Sequence, residues 1–242
     1  ENGTVAVLVR DPAEDLKAWV VVETDGTVED VVTLPGDEED RVYYVVNRNG
    51  IRCLERWAKE SECIGGSLNK QADSFITRSG SARDTLSGLN HIEGKAVVVW
   101  ADGKDIGTRT VSSGAISLGA SYSNVIAGLG YTAKYKSSKL AYAAGMGTAL
   151  AQRKRVDHLA LIMRNTHYRG MTYGPDFDIQ DDLPAEEFAN PTSSNTVWES
   201  YDRDSFEFDG SWDTDSRICL IAAAPRPVTV LAAIVSLTTH DK

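Results

Sequence analysis

The chain has 242 residues, of which 42% are hydrophobic, and its formal net charge is -10. This length and apolar content suffice for a buried core, which argues against disorder of the whole chain. No apolar run reaches the roughly 18 residues that a membrane-crossing helix needs, and the negative charge disfavours nonspecific binding to the outside of DNA.

The first residue and the cysteines bear on processing and redox state. The chain begins with Glu1 and no charged-then-apolar leader follows, so no secretory signal is visible. Either processing removed a segment or the chain is a piece of a longer protein, and we expect the second. The three cysteines, Cys53, Cys63 and Cys219, form neither a disulfide framework nor a Cys-x-x-Cys zinc pair. We expect buried or incidental thiols in a reducing cytoplasm, with pairing of Cys53 and Cys63 across a turn as the alternative.

Residues 1–64 are predicted to form an antiparallel β meander. Thr-Asp-Gly-Thr at 24–27 is typical of a hairpin turn, and Asn49-Gly50 predicts a type I′ turn because both residues tolerate positive φ. The segments rich in apolar and β-branched residues, which predict the strands, lie at 4–10, 17–23, 28–34, 41–47 and 51–57.

The remainder divides into a connector and a second module. Residues 65–89 are rich in Ser, Gly and Asn, which predicts a connector, and residues 90–242 are predicted to form a β-sandwich-like module. Ala-Asp-Gly-Lys at 101–104 predicts a tight turn. Between 155 and 164 the residues alternate as in a strand, and three apolar side chains share one face: Leu159, Leu161 and Met163.

Three further segments complete the expected fold. Residues 140–152 are Ala-rich but contain two glycines, so a short helix and a loop both fit. The acidic stretch after Pro175 is predicted to be a long surface loop, and residues 228–237 a last strand. The sequence therefore predicts a mainly β fold of antiparallel sandwich-like or barrel-like modules with long loops and little helix.

Charge is distributed unevenly along the chain. Residues 176–215 contain thirteen acidic residues against one basic residue, Arg203, whereas residues 130–170 contain eight Lys and Arg against one acidic residue, Asp157. A surface with opposite poles suits head-to-tail contact between identical subunits. Two solvated loops of opposite sign are an equally weighted alternative.

Two groups of side chains are candidates for chemistry. If the local backbone is extended, His91 and Glu93 project to one side, as an acid–base or metal-binding pair would, although fixing a turn beside the following strand is the favoured role. Asp209, Asp213 and Asp215 are the candidates for a calcium site, with a solvated loop as the default, since the EF-hand spacing is absent.

The aromatic and glycine-rich segments give weaker indications of a binding site. Trp198, Tyr201 and Trp212 are the place where a sugar would stack, but packing in a core or interface is the favoured use. The glycine clusters lack the Lys-Ser/Thr ending of a phosphate loop and the full dinucleotide pattern. We therefore expect no cofactor.

An ordered set of short motifs resembles a phage tail family. Ser-Gly-Leu-Asn-His-Ile-Glu-Gly-Lys at 87–95 leads into Val-Val-Val-Trp-Ala-Asp-Gly at 97–103, and further matching elements lie at 114–118, 125–132, 152–156, 212–215 and 225–231. In this order they resemble the C-terminal region of the tail nozzle, or tail tubular, protein of short-tailed phages, a DNA-stabilisation-like family. The chain has Gly130 where that family has proline.

The resemblance implies that five motif residues are structural: His91, Glu93, Gly94, Asp102 and Gly103. It also implies a virion protein, assembled in the host cytoplasm, that forms a homo-oligomeric ring or nozzle around the DNA exit channel and contributes to genome retention and ejection. Its partners would be other tail proteins (adaptor, fibre or tailspike) and passing double-stranded DNA, without sequence recognition.

Two other functions compete with this one. The first is a receptor- or carbohydrate-binding β module of a tail tip or adhesin. The second is a cell-wall hydrolase, which would need a carboxylate pair drawn from residues such as Glu93, Asp213 and Asp215. We expect a non-enzymatic protein whose acidic stretch lines a channel, because an acidic wall repels the DNA polyanion.

Overall fold

The computed structural model describes residues 3–239 except 14, 38, 142, 145, 146, 185, 188 and 189. Strand accounts for 61% of the structure and helix for 4%, which confirms the predicted mainly β class. The helical residues belong to short 3-10 turns at Glu60–Glu62, Asn90–Ile92 and Ala149–Ala151. In the part of the chain just defined, no helix is both long and apolar enough to cross a bilayer.

The N-terminal strands form two separate sheets. Strands β1 (Val5–Asp11) and β2 (Leu16–Val22) make a two-stranded hairpin. Strands β3 (Thr27–Leu34), β4 (Arg41–Arg48) and β5 (Ile51–Arg56) make a three-stranded antiparallel sheet in that order. The predicted single meander is therefore divided between β2 and β3.

The two predicted N-terminal turns had different outcomes. Asn49 and Gly50 have φ values of 51° and 88° and join β4 to β5, as predicted. The predicted hairpin at 24–27 is wrong, because β2 pairs with β1 and β3 pairs with β4. Gly26, at φ 155°, is the one residue of 24–27 with a positive φ, so this segment does not supply the paired positive φ values that a type I′ turn requires.

A central four-stranded sheet follows, in the order β6-β9-β7-β8. Its strands are β6 (Asp73–Ser87), β7 (Ala96–Ala101), β8 (Lys104–Thr110) and β9 (Ala115–Leu129). The predicted connector is wrong over β6, which pairs along its length with β9. Only two β6 side chains are buried, so the strand depends on its ladder and lacks the apolar alternation that identifies half-buried strands.

The rest of the chain contains a β sandwich. One sheet has the order β10-β20-β14-β15; in the other, β13 pairs with β21 on one side and with β18 and β19 on the other. The strands are β10 (Thr132–Lys136), β11 (Ala143–Ala144), β12 (Gly147–Thr148), β13 (Lys154–His167), β14 (Met171–Asp176), β15 (Ile179–Asp182), β16 (Glu186–Glu187), β17 (Asn190–Pro191), β18 (Val197–Asp202), β19 (Phe206–Glu207), β20 (Cys219–Ala223) and β21 (Thr229–Thr239).

The core of the sandwich lies between these two sheets. Leu159, Leu161 and Met163 are buried together on one face of β13, as predicted. They pack with apolar side chains of the facing sheet, among them Tyr173 and Leu220. A separate apolar cluster lies on the central sheet and includes buried side chains of β6, β7 and β9.

The structure corrects one prediction for this half of the chain and decides between the alternatives of another. The acidic stretch after Pro175 is not one long loop, since it contains β15, β18 and β19. Its strands were not recognised because they contain few apolar residues among many exposed carboxylates. Where residues 140–152 are described they form β11, β12 and a 3-10 turn, with no α-helix.

Candidate functional site

Glu93 fixes the turn that leads into β9. Its Oε1 accepts a hydrogen bond from Ser113 N at 2.8 Å, and its Oε2 accepts one from Gly114 N at 2.6 Å. The neighbouring motif residue does not join it, because His91 Nε2 lies 3.3 Å from Ser74 O on β6. The two side chains therefore bind backbone groups of different segments and do not form an acid–base pair.

Asp102 fixes a second reversal of the chain. Its carboxylate accepts hydrogen bonds from Ser123 N at 3.0 Å and Asn124 N at 2.8 Å, and these backbone donors lower the pKa of the carboxyl. Asp102 and Gly103 have φ values of 45° and 84°, which form the predicted tight turn between β7 and β8. Gly94 also has positive φ, at 75°, so all three residues have backbone or turn roles.

Two motifs that lie far apart in the sequence meet in the structure. Lys154, fully buried at the start of β13, exchanges backbone hydrogen bonds with Asp213 at 2.9 and 3.0 Å. Its Nζ donates to Thr214 O at 2.7 Å, and burial is the main cause that lowers its pKa. The guanidinium of Arg155 lies 5.7 Å from the centroid of the Trp212 ring. The basic motif thus anchors the acidic loop, whose carboxylates remain exposed.

The candidate calcium ligands are not gathered into a site. Asp213 Oδ1 accepts a hydrogen bond from Asp215 N at 3.1 Å, and this bond and that from Thr214 N lower its pKa. Asp215 pairs with Arg217 at 2.9 Å, and Asp209 lies in a different place, described next. Among the described residues, no three His, Cys, Asp or Glu side chains are placed to hold a metal ion.

An acidic cleft lies at the side of the sandwich where β15 and β19 approach β13. It has a volume of about 670 Å³. Arg155, the cation in the wall, is bound by Asp157 at 2.6 Å, and within the described residues no cation forms an ion pair with the other four carboxylates. The five acidic residues that line the cleft are Asp157, Asp181, Asp182, Glu207 and Asp209.

The acidic stretch as a whole faces solvent. Between 176 and 215, every acidic residue whose side chain is described is exposed. Because low-dielectric walls of one sign concentrate the field, this side of the sandwich presents a strong negative potential to any ligand. A polyanion would be repelled from it.

The N-terminal hairpin exposes an apolar face that sequence reasoning missed. Leu8 pairs with Trp19, and Ala6 with Val21, which places all four on the same face. Trp19 is 70% exposed, and Leu8 and Val21 are also exposed. Contiguous exposed apolar surface of this kind marks sites of protein interaction.

The neighbouring three-stranded sheet repeats this arrangement. Val32 pairs with Tyr43, and Val45 with Leu54, all on one face, and Leu54 is 71% exposed. Of the side chains described in residues 3–57, Val46 is the one apolar residue that is buried. The alternation that identified these strands indicated their period but not whether another layer covers each face.

A buried ion network attaches this region to the central sheet. Arg48, 2% exposed, donates from Nε and Nη2 to the two carboxylate oxygens of Glu55, both at 2.8 Å. Its Nη2 also lies 3.6 Å from Asp73 Oδ1 on β6. Ser74 Oγ donates to Glu55 at 2.8 Å and Thr24 Oγ1 to Asp73 at 2.5 Å. The contact is therefore mainly polar.

A second junction joins the central sheet to the sandwich. The ring of His167, at the end of β13, packs edge-on against Trp100 of β7, with 6.2 Å between centroids. Its Nδ1 accepts a hydrogen bond from Arg169 N at 3.1 Å. Burial, with the nearby charge of Arg226, lowers the pKa of His167 to about 4. Arg226 pairs with Asp105 of β8 at 2.8 Å, so a neutral imidazole lies beside an ion pair.

The aromatic and thiol candidates lie mostly inside the fold. Trp198 and Tyr201 are buried, with 4.7 Å between their ring centroids, while Trp212 is exposed. A sugar therefore cannot stack on the first two. All three cysteines are free, and burial raises the pKa of Cys63 to about 11, which keeps it as a thiol.

No protein-family model matches the chain, and no curated protein matches it either.

Proposed function

We propose that the chain is a structural subunit of a phage tail that forms a homo-oligomeric ring or nozzle around the channel through which double-stranded DNA leaves. The observation that carries the proposal is the uncovered apolar faces of the five N-terminal strands. A sheet gains most of its stability from a covered apolar face. Strands that are left uncovered are expected to complete their packing against another protein.

The acidic side of the sandwich supports the DNA part of the proposal. A wall that DNA passes must not bind phosphate, and a basic surface would bind it with strong salt dependence. The exposed carboxylates between 176 and 215, and those of the cleft, present the opposite charge. In this role the protein contributes to genome retention and ejection through its shape and charge, without sequence recognition.

The proposal assigns no reaction and no cofactor to the chain. The carboxylates that a hydrolase would need have structural partners: Glu93 binds two backbone N–H groups, and Asp215 pairs with Arg217. The aromatic residues that a glycan-binding module would need are buried at Trp198 and Tyr201. We place the protein in the virion tail, after assembly in the host cytoplasm, beside an adaptor, fibre or tailspike.

The test is the mass of the purified chain in solution. Light scattering after size-exclusion chromatography should give a multiple of 26.3 kDa, and Trp19→Ser should reduce the assembled fraction by removing the centre of an apolar face. Leu231→Ser, which removes exposed apolar surface from β21 of the sandwich, is the matched control. A monomer at high micromolar concentration would contradict the proposal.

The same preparations test the acidic wall. Mixed with duplex DNA at low salt, the assembled protein should leave DNA mobility unchanged in a gel. If the protein retards the DNA and this binding weakens as salt rises, the surface binds phosphate and the proposed channel role is wrong.

A further inference from the structure

The two edges of one sandwich sheet are opposite in charge. In the sheet β10-β20-β14-β15, the edge strands are β10 and β15. All five residues of β10 are exposed, including Lys134 and Lys136, while β15 has the exposed residues Asp181 and Asp182. An exposed edge presents unpaired N–H and C=O groups, which can pair with another strand.

From these edges we infer that copies of the chain join head to tail, with β10 of one copy pairing with β15 of the next to make a continuous sheet. The inference rests on the proposed function, because it names the contact that would build the ring. The partner is thus a second copy of this chain, and it is favoured by the complementary charges of two edges of similar length.

The strand directions fit such a junction. Each neighbouring pair in the sheet is antiparallel, and the sheet has four strands, so β10 and β15 run in opposite directions. A copy placed alongside in the same orientation therefore brings β15 and β10 together as an antiparallel pair. The alternation of strand directions in the antiparallel sheet therefore continues from one copy into the next.

The register places opposite charges side by side. Lys134 lies in one transverse row with Ile221, Thr172 and Asp182. Without stagger, Lys134 of one copy would therefore stand next to Asp182 of its neighbour. Directly opposed residues in an antiparallel pair share a face, and opposite charges there stabilise the pair.

The adjacent row adds an aromatic contact. Tyr135, Leu220, Tyr173 and Asp181 form this row, and Tyr135 is 55% exposed. The phenol of one copy would meet the carboxylate of the next across the junction. Burying an exposed tyrosine that keeps its hydroxyl bonded is typical of interface centres.

Lys134 is available for this contact. Its ammonium lies 5.2 Å from the ring centroid of Phe177, and no carboxylate of the described residues forms an ion pair with it. Lys136 differs, since it already pairs with Asp176 at 3.1 Å. Lysines on an edge strand also serve in some proteins to keep the edge single, and the acidic edge of matching length is what favours pairing here.

A contact between two different edges is heterologous, so each joined pair of copies still has one free β10 edge and one free β15 edge. Such a contact generates a ring if the rotation between copies closes and a filament if it does not. The same junction would repeat around the whole assembly.

Charge reversal tests the junction. Lys134→Glu and Asp182→Lys should each raise the concentration needed for half-assembly by at least about tenfold, because like charges then meet. Mixing the two variants should restore assembly, since each copy supplies the charge that the other lacks. The double variant should also assemble alone. Lys104→Glu, at an exposed lysine on the edge strand β8 of the central sheet, is the matched control and should assemble normally.

The outcomes separate the two proposals. Circular dichroism and thermal unfolding first establish that each variant is folded. If the unmodified chain is monomeric, the proposed function fails. If it assembles and both single variants assemble equally well, or if their mixture does not recover, the edge contact is wrong while the ring remains.

Discussion

The N-terminal sheets and the sandwich are built from similar strands but are stabilised differently. In the sandwich, apolar side chains of β13 pack against a second sheet, so most of its stability comes from removal of apolar surface from water. Residues 3–57 bury one described apolar side chain, Val46, and connect to the central sheet through the ions of Arg48, Glu55 and Asp73. Strand formation and core formation are thus separate properties, and of these two regions the sandwich has both.

The same substitution in the two regions should have very different effects. Leu161→Ala leaves a cavity in the sandwich core and should lower the free energy of unfolding by about 2–5 kcal/mol. Leu54→Ala removes an exposed side chain of β5 and should change it by less than about 0.5 kcal/mol. Denaturant titrations under conditions that keep the protein monomeric measure both values. Equal losses of unfolding free energy in the two variants would mean that Leu54 also lies in a core, and that the two regions are not stabilised differently.

The stability of the N-terminal region should depend strongly on its buried ion network. Arg48→Met leaves Glu55 and Asp73 without their cation, which costs about 3–5 kcal/mol for fully buried groups. Because these two carboxylates are partly solvated, we expect about 2–3 kcal/mol. In hydrogen-exchange measurements, the backbone amides of β3–β5 should exchange faster in this variant, while those of β13 should not change.

An exposed ion pair in the same three-stranded sheet provides the control for Arg48. Arg52, whose side chain is 69% exposed, binds Glu29 at 2.7 Å. Arg52→Met should therefore lower stability much less than Arg48→Met does, because water screens an exposed ion pair. Faster exchange throughout the sandwich in Arg48→Met would show that the two regions unfold as one unit.

The junction at His167 should make the sandwich sensitive to acid. Its pKa is depressed in the fold, to about 4, so the unfolded chain binds the proton first as pH falls below about 6.5. Stability should therefore decrease from pH 7 towards pH 4 and level off below, with a loss of about 2 kcal/mol by pH 5 from this group.

A histidine variant isolates this contribution from that of the carboxylates. His167→Gln should have a shallower fall of unfolding free energy between pH 7 and pH 5 than the unmodified chain. His158→Gln, at an exposed position on the same strand, should leave the fall unchanged. Identical pH profiles for all three proteins would show that His167 is not held neutral by the fold.

Some features depend on short stretches of sequence and were predicted from them. The turns at Asn49-Gly50 and Asp102-Gly103 follow from the local ease of positive φ. The buried face of β13 follows from the alternation of Leu159, Leu161 and Met163. The mainly β class follows from many such segments together, and the resemblance to tail proteins remains a prediction.

What only the tertiary structure decided is which strand pairs with which and what covers each face. The separation of β2 from β3, the use of β6 as a full strand and the binding of Glu93 to residues 113 and 114 all join distant segments. Local backbone preference acts over a few residues, whereas a ladder or a packed face depends on partners far along the chain. The sequence by itself therefore determined that strands form and where tight turns lie. Non-local pairing decided which strands share a sheet, leaving one edge basic and the other acidic.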